Sequence, residues 1–414
     1  MAPPPFFRKR GARMDPRIVS VGSKVTPVEI AGLTSDLIRI PSHWDVPTKE
    51  IEMVEAVADF LTKENIPFSL QLVEGKRNNI IATIPGSGGG KSLALSGHLD
   101  TVPPYNMEVD PFAAEMVEGK IYGRGAVDMK GPVAAMLMTL AAYRRAGVTL
   151  KGDLVFAGVL AEETNSDGSE TLIRSGFKTD AAIVGEPSDR EYAIGHRGLE
   201  WIEVEFFGKT AHGGVPREGI NAIVHAAKFI CRVEKELAPK LAERDHPHMG
   251  PSVMNFGRIE GGTQPSTVAD SCIVRMDRRY ISSESLEEVI SEYQQILNDL
   301  SREDPTFKAE LRLMDIGTMA HFHHVPLETS PDDPIVEAVT RSIRDVSGVE
   351  PRMTTRRGWT DAAIFGHYGK IPTVVFGPGS LSRSHSKAEY ITVDELHEGF
   401  RTYVSIAARY CGLE

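Results

Sequence analysis

The sequence predicts an α/β protein, in which a domain with a mostly parallel sheet and helices on both faces carries an inserted α+β domain. Short apolar runs alternate with helically spaced apolar residues before residue 190 and again after residue 330. Between these regions the segments follow the order strand, helix, strand, strand, helix, strand, which is the order of a ferredoxin-like unit. A chain of 414 residues is long enough for two such domains.

The individual elements follow from apolar spacing and from residues that begin or end a helix. Thr26 is a suitable N-cap, because its hydroxyl can accept a hydrogen bond from a backbone N–H of the first turn. Before the insertion we expect helices at 26–40, 48–65 and 132–146, and strands at 69–73, 79–84, 93–95, 153–160 and 181–184. In the insertion we expect strands at 199–207, 253–259, 271–280 and 307–314, and helices at 221–237 and 284–300. After it we expect helices at 333–346 and 393–410, a strand at 373–376 and the start of a helix at 361–367.

The same patterns predict the domain boundaries. We expect residues 25–191 and 316–414 to form one domain, and residues 192–315 to form the inserted one. Residues 1–24 contain no signal-type apolar core, and we expect them to be a flexible N-terminal tail.

Composition excludes several classes of partner and location. The content of 41% hydrophobic and 25% charged residues is that of a globular protein, and the net charge is −11 without a long basic run. We therefore expect neither nucleic acid nor a membrane as a partner, since no apolar run reaches the ~18 residues of a membrane span. The three scattered cysteines favour a reducing, cytoplasmic location, and their spacing does not suit zinc.

Chemistry-bearing residues follow one short apolar run at residues 93–95. His98 and Asp100 are two residues apart and share one face if the strand continues. An aspartate in that position can accept the N–H of a histidine and leave the other ring nitrogen for a metal. Asp128 follows Gly123 and Gly125 just before a helix, at a strand-to-helix junction where ligand sites of α/β sheets occur.

Two further strand ends carry carboxylates. Glu162 and Glu163 follow the strand at 153–160, and Glu186 follows the run at 181–184. Adjacent glutamates at the end of a buried strand are costly unless they are used, although an exposed loop would also accommodate them. Acidic or histidine residues at three successive strand ends indicate one shared site.

Other histidines and arginines allow more than one interpretation. His98 alone could be a core histidine, and His212 and His385 alone could be loop residues. The denser group of His321, His323 and His324 is interpreted as a polar inter-domain segment, because no pattern of carboxylates accompanies it. Arg356 and Arg357 remain ambiguous, and the glycine-rich stretch 86–90 lacks the lysine and the helix of a phosphate loop.

Six motifs in order carry a family resemblance over about residues 95–392: SGHLDTVP, GRGAVDMKG, AEETNSDGS, VGEPSD, GKTAHGG and SHSKAEYI. The chain resembles the dinuclear zinc amidohydrolases and peptidases that include acetylornithine deacetylase, succinyl-diaminopimelate desuccinylase, aminoacylase and glutamate carboxypeptidase. The resemblance implies a cofactor of two divalent metal ions, with zinc expected and cobalt as the alternative. It also implies that residues 192–315 act as a lid and form a homodimer.

The resemblance assigns a role to each motif residue. His98 and Glu186 would bind one metal ion, Glu163 and His385 the other, and Asp128 would bridge them. Asp100 would orient His98, and Glu162 would be the general base for a metal-bridging hydroxide. Two Zn²⁺ ions, three carboxylates and one hydroxide make a neutral cluster, which avoids a large cost of burying charge. His212 would polarise the substrate carbonyl in the neighbouring subunit, and the residues expected to bind substrate are Arg279, Ser266, Trp359 and Gly377.

Two departures from the family pattern concern the substrate rather than the chemistry. Ser266 stands where many members have an asparagine, and a hydroxyl offers fewer hydrogen-bonding groups than an amide. Trp359 stands where some carboxypeptidase members have glycine, which would reshape the pocket. We expect hydrolysis of the amide bond of an N-acyl amino acid, by deacetylation or desuccinylation. A di- or tripeptidase or carboxypeptidase is the alternative within the family, and a non-catalytic binding protein of the same fold is the alternative outside it.

Overall fold

The computed structural model describes residues 14–314 and 319–414. Contacts between Cα atoms divide the chain into two compact units. Unit 1 takes the chain up to Ile194 together with Thr329–Thr354 and Gly369–Glu414. Unit 2 takes Gly195–Glu328 and Thr355–Tyr368.

The α-helices of the described residues are α1 (Pro16–Gly22), α2 (Pro27–Ile38), α3 (Ile51–Lys63), α4 (Lys130–Ala146), α5 (Asp167–Arg174), α6 (Ala222–Glu236), α7 (Ala238–Glu243), α8 (Leu286–Glu303), α9 (Pro334–Ser347) and α10 (Val393–Cys411). Several begin at the residue types that cap helices well. Thr26 caps α2 and Thr392 caps α10, each in a reciprocal capping box with the glutamate three residues further on.

The strands of the described residues are β1 (Phe68–Glu74), β2 (Arg77–Ile84), β3 (Leu93–His98), β4 (Met116–Val117), β5 (Lys120–Tyr122), β6 (Leu154–Val159), β7 (Ala181–Val184), β8 (Tyr192–His196), β9 (Gly198–Phe207), β10 (Asp245–His246), β11 (Gly250–Pro251), β12 (Val253–Gly261), β13 (Ser271–Tyr280), β14 (Lys308–Leu313), β15 (Leu327–Glu328), β16 (Met353–Arg356), β17 (Thr373–Val375) and β18 (Tyr390–Thr392).

The sheet of unit 1 has the strand order β1-β2-β6-β3-β7-β17, followed by the first part of β8. The central pairings are parallel: β3 pairs with β6 and with β7, and β7 pairs with β17. The pairings towards both edges are antiparallel. The predicted α/β class is confirmed, and the parallel part of the sheet is its centre. Parallel strands have their carboxyl ends at the same edge of the sheet. The residues that follow β3, β6, β7 and β17 therefore lie along this edge.

Helix α4 occupies the middle of the core of unit 1. Residues from Lys130 to Tyr143 are all buried, including a series of alanines that lets neighbouring helices approach closely. α4 contacts β3 and β6, and α2 and α10 pack against it. α3 and α5 contact β2. This packing fixes the start of α4, and therefore the turn before it that carries Asp128.

Unit 2 contains a four-stranded antiparallel sheet in the order β12-β13-β9-β14. With α6 between β9 and β12 and α8 between β13 and β14, the chain follows the ferredoxin-like order that the sequence predicts. Alternate residues of β9 and β13 face the helices and form a separate apolar core that includes Phe206, Phe229 and Tyr293. The outer strand β12 is largely exposed.

Two expectations about boundaries differ from the structure. Residues 16–22 form helix α1 rather than a tail, because Asp15 caps its N-terminus and Ile18 and Val21 are buried; residues 1–13 lie outside the described residues. Residues 319–328 and 355–368 belong to unit 2 rather than to the first domain. Within unit 2, Leu327 pairs with His196, and Trp359 donates a hydrogen bond to the Val325 carbonyl, which explains this assignment.

Candidate metal centre

The carboxyl ends of the central strands of unit 1 bring the sequence-predicted residues together. His98 is the last residue of β3, Glu162 and Glu163 follow β6, Glu186 follows β7, and Gly377 follows β17. Gly377 lies so close to β7 that an added Cβ would stand 2.0 Å from the carbonyl oxygen of Gly185. A glycine is therefore required where β17 leaves the sheet beside Glu186.

His98 is buried and held at both ring nitrogens. Its Nδ1 lies 3.0 Å from the carbonyl oxygen of Asp100 and 3.5 Å from the Asp100 carboxylate. Since both oxygens can only accept from an imidazole, Nδ1 carries a proton, and a metal ion would bind at Nε2. That Nε2 lies 3.1 Å from Asp128 Oδ1 and 3.7 Å from Glu186 Oε1.

Asp128 lies on the turn between β5 and α4. Gly125 on this turn has φ +83°, and an added Cβ would stand 2.7 Å from Thr101, so the turn needs glycine. The two carboxylate oxygens of Asp128 face different histidines: Oδ1 faces His98, and Oδ2 lies 3.4 Å from Nε2 of His385. The carboxylate of Asp128 therefore lies between the two imidazoles, with one oxygen towards each.

The second half of the site consists of Glu163 and His385. Their Oε1 and Nε2 atoms are 3.0 Å apart. His385 lies on an exposed loop, and its side chain is half exposed, whereas Glu163 is nearly buried. This half of the site therefore faces solvent more than the half around His98.

Asp100 also contacts the turn after β6. Its two carboxylate oxygens accept hydrogen bonds from the backbone N–H groups of Glu162 and Glu163, at 3.2 and 3.0 Å. This buried carboxylate thereby ties the turn after β6 to the end of β3. It fixes the main chain of both glutamates relative to His98.

The donor atoms are close enough to hold metal ions. Within the described ranges, 14–314 and 319–414, two sets of three side chains have donor atoms within 4.8 Å of one another: His98, Glu162 and Glu186, and His98, Asp128 and Glu163. Imidazole and carboxylate donors of this kind suit Zn²⁺. Glu162 belongs to one of these sets, so its side chain lies at the same site as the expected ligands.

The charges of the cluster call for a positive partner. Burial and the neighbouring Asp128 raise the pKa of Glu163 to about 7. Hydrogen bonds to Asp128 and Glu163 raise the pKa of His385 to about 10, and hydrogen bonds to Asp100 and Asp128 outweigh burial and raise the pKa of His98. In the absence of metal ions, protonated imidazoles neutralise the carboxylates of the cluster. Divalent cations would supply this positive charge instead, so the residues present fit a metal cluster.

The remaining predicted residues lie in unit 2. His212 and Ser266 are exposed on adjacent segments, since Gly213 donates a backbone hydrogen bond to the Ser266 carbonyl at 2.7 Å. Arg279 on β13 forms a two-bonded ion pair with Asp277, at 2.7 and 2.9 Å. Trp359 packs edge-on against His196 and His324.

Sequence reasoning assigned no role to Glu389, although it lies in the motif SHSKAEYI. The residue is fully buried, and its carboxylate binds Arg124 and the backbone N–H groups of Val127 and Asp128. An acidic residue between apolar neighbours just before a short strand was the signal available in the sequence.

A site of this kind, with imidazoles and carboxylates at the ends of parallel strands, is typical of enzymes that hydrolyse bonds at metal ions. The family model of peptidase family M20/M25/M40 matches residues 94–409. The chain belongs to this family, and the resemblance drawn from the six motifs is confirmed. The chain is thus an enzyme that acts on amide bonds, rather than a binding protein without catalysis.

Similar proteins of the family differ in substrate. The chain is 26% identical over 407 residues to an N-formyl-4-amino-5-aminomethyl-2-methylpyrimidine deformylase of Halalkalibacterium halodurans, with 93% of this chain and 95% of the relative covered. It is 30% identical over 340 residues to an acetylornithine deacetylase of Myxococcus xanthus, with 81% and 84% covered. A crystal structure of a dinuclear metal binding peptidase of the family from Bacillus subtilis matches with a TM-score of 0.70 and 18% identity, covering 92% and 97%.

None of the helices in the described part of the chain is both long and apolar enough to cross a membrane.

Proposed function

We propose that the protein hydrolyses the amide bond of an N-acyl amino acid, by deacetylation or desuccinylation. The observation that supports metal-dependent hydrolysis most strongly is the position of Asp128, between His98 and His385. The similarity to an acetylornithine deacetylase supports the deacylase over a peptidase. The similarity to a peptidase structure keeps hydrolysis of di- or tripeptides, or a carboxypeptidase activity, as the second candidate.

In this proposal the cofactor is a pair of divalent ions, with Zn²⁺ as the native metal and Co²⁺ as a substitute. His98 and Glu186 would hold one ion, Glu163 and His385 the other, and Asp128 would bind both. Bound ions of this kind polarise a carbonyl oxygen and lower the pKa of water to about 7.

Glu162 is proposed as the general base. It would take a proton from the attacking water and pass it to the leaving amine. Two features support this role: its side chain shares a donor set with His98 and Glu186, and its backbone is held by Asp100. Holding the main chain of Glu162 limits the positions that its carboxylate can reach, which favours proton transfer at this site.

His212 is proposed to polarise the substrate carbonyl from the neighbouring subunit of a homodimer. Its Nδ1 accepts a hydrogen bond from the Gly214 N–H at 3.0 Å, so the neutral ring carries its proton on Nε2, where it can be donated to a developing oxyanion. The exposed edge strand β12, with Val253 and Ile259 on the surface, supports a dimer through unit 2.

Arg279, Ser266, Trp359 and Gly377 are proposed to bind the substrate. Arg279 would hold the substrate carboxylate with the two-bonded geometry that it makes with Asp277 in this structure, and the substrate would displace Asp277 from it. A cytoplasmic location is proposed because Cys231, Cys272 and Cys411 are all free thiols.

The metal content tests the centre. Zinc-loaded, dialysed protein should hold two ions per chain by elemental analysis, and His385→Ala should hold one, because it removes a ligand of one ion only. One ion in the unsubstituted protein, unchanged in the variant, would contradict the dinuclear proposal.

The substrate class needs a separate screen. Zinc- and cobalt-loaded protein should be offered N-acetyl, N-succinyl and N-formyl amino acids beside di- and tripeptides. We expect the highest kcat/KM for an acetyl or succinyl amino acid. A higher kcat/KM for a peptide with a free amino terminus would contradict the deacylase proposal and favour the peptidase activity.

A mixing experiment tests whether active sites are shared. His212→Ala and Glu162→Gln chains, each inactive, are allowed to exchange subunits. A mixed dimer then has one site with both defects and one with neither, so activity should recover to at most about a quarter of the unsubstituted level. Absence of recovery after proven exchange would place His212 in its own chain's site or outside catalysis.

A further inference from the structure

Glu389 joins the two chain segments that carry Asp128 and His385. β5 leads into the Asp128 turn, and β18 follows the His385 loop; the two strands pair antiparallel, with Tyr122 opposite Tyr390. Where the segments diverge, the Gly123 N–H donates to the Glu389 carbonyl at 3.0 Å. The main chain of Glu389 is thus anchored to the first glycine of the Asp128 turn.

The side chain of Glu389 reaches further into the same turn. Oε1 accepts the backbone N–H groups of Val127 at 2.9 Å and Asp128 at 3.1 Å. Oε2 accepts from Arg124 Nη1 at 2.6 Å, and Arg124 is itself buried. The carboxylate therefore holds the beginning and the end of the segment from Arg124 to Asp128 at once.

Stability alone does not account for this arrangement. A buried ion pair is often replaced by apolar residues without loss of stability, because desolvation offsets the attraction. What an apolar pair would not supply is an acceptor for the N–H of Asp128. This N–H belongs to Asp128, whose carboxylate oxygens face His98 and His385.

We infer that Glu389 is a positioning residue, which sets the distance between Asp128 and His385 and thereby the affinity for the metal ion at Glu163 and His385. This inference rests on the proposed metal centre. The ion near His98 depends on it less, since Asp100 holds that half of the site from β3. Outer-shell partners of metal ligands typically contribute about 10- to 100-fold in metal affinity.

The test compares two paired substitutions at the same positions. Arg124→Leu with Glu389→Leu removes both buried charges and the acceptor. Arg124→Gln with Glu389→Gln also removes the charges but keeps an amide oxygen that can accept from the Asp128 N–H. Arg77→Leu with Glu50→Leu is the matched control, because this buried pair, 2.8 Å apart, joins β2 to the residue before α3.

The readout is the dissociation constant of each zinc ion, measured by competition with a chelator, with metal-free thermal unfolding recorded in parallel. We call the ion at Glu163 and His385 the second ion and the ion near His98 the first. We expect the leucine pair at 124 and 389 to lower the affinity for the second ion by about 10- to 100-fold and the affinity for the first ion by less. The glutamine pair should restore most of this affinity. The control pair should leave both dissociation constants unchanged, even if it lowers the unfolding temperature.

Unchanged affinity for the second ion in the leucine pair would overturn the inference, as would equal weakening by the control pair. If the leucine pair does not fold, Glu389→Asp decides. This variant keeps a negative charge for Arg124, but its shorter side chain moves the carboxylate away from the turn. An unchanged affinity for the second ion in this variant would also overturn the inference. An unsubstituted protein that binds a single ion would instead contradict the proposed metal centre, independently of Glu389.

Discussion

The pKa values of two groups of histidines in this protein are shifted in opposite directions. In unit 1, His98 and His385 face carboxylates, and these contacts raise the pKa of both imidazoles. In unit 2, burial lowers the pKa of His196 and of His324 to about 4. The segment around His324 is the richer in histidine, yet it is the poorer candidate for a metal, because the sets of metal-type donors found among residues 14–314 and 319–414 both lie at His98.

The comparison shows that neighbouring carboxylates indicate a metal centre better than the number of histidines in a segment does. His196 uses both ring nitrogens in hydrogen bonds with neutral groups: Nδ1 donates to the Arg197 carbonyl at 3.0 Å, and Nε2 accepts from Thr360 at 3.2 Å. Glu200 lies near this group, and its Oε1 is 3.7 Å from His323 Nδ1. Burial raises the pKa of Glu200 to about 7, so this carboxyl is about half ionised at neutral pH.

The largest expected difference between the two groups is in catalysis. Glu162→Gln keeps the size of the side chain but removes the proton acceptor, and we expect kcat to fall by at least ~100-fold. The content of metal should stay the same. His323→Ala is the control from unit 2 and should leave kcat close to that of the unsubstituted protein. Near-normal turnover of Glu162→Gln would mean that another residue is the base.

The second difference is in the pH dependence of metal-free protein. His196 has a pKa of about 4 when folded and about 6.5 when unfolded, so its contribution is unaffected above pH 6.5. As the pH falls from 6.5 to 4 the unfolded chain binds the proton first, and stability falls by at most about 3 kcal/mol. His196→Gln should reduce this acid-side loss, measured as the difference in urea midpoints at pH 7 and pH 4.5. An identical pH dependence in the variant would contradict the assignment.

His385 should behave in the opposite way. Its folded pKa of about 10 is above the unfolded value, so the stabilisation is complete below about pH 6.5 and is lost as the pH rises towards 10. His385→Gln should therefore flatten the alkaline side of the stability profile of chelator-treated protein. A change confined to the acid side would show that the carboxylates of unit 1 do not control this histidine.

A smaller contrast concerns zinc and thermal stability. A ligand at about 100 times its dissociation constant stabilises the folded state by about 2.7 kcal/mol. Zinc should raise the unfolding temperature of the unsubstituted protein and of His324→Ala by the same amount. The rise should be smaller for Glu163→Gln, which loses a ligand. An equal rise in all three, recorded by differential scanning fluorimetry, would locate the zinc elsewhere.

The smallest effect is expected at Trp359. Trp359→Phe removes the hydrogen bond from Nε1 to the Val325 carbonyl, which is 3.0 Å long, and keeps the ring near His196 and His324. We expect a loss of about 1 kcal/mol in the free energy of unfolding and a change in KM larger than the change in kcat. A fall in kcat with unchanged KM would argue that Trp359 does not bind substrate.

The sequence by itself determined the fold class, most of the elements and the residues at the strand ends. These features are local: apolar alternation defines strands such as β13, Thr26 caps its helix, and glycines precede Asp128. The order of the six motifs was sufficient to indicate the family. Helix α1 was missed because its few apolar residues acquire meaning only from the helices they pack against, α4 and α10.

The tertiary structure alone decided how distant residues support the site. Arg124 and Glu389 are 265 positions apart, and Asp100 holds a turn 62 positions further along the chain. Residues 355–368 join unit 2 although the sequence around them belongs to unit 1. Hydrogen bonds and ion pairs of this range depend on the packing of the whole sheet and its helices, and no local periodicity encodes them.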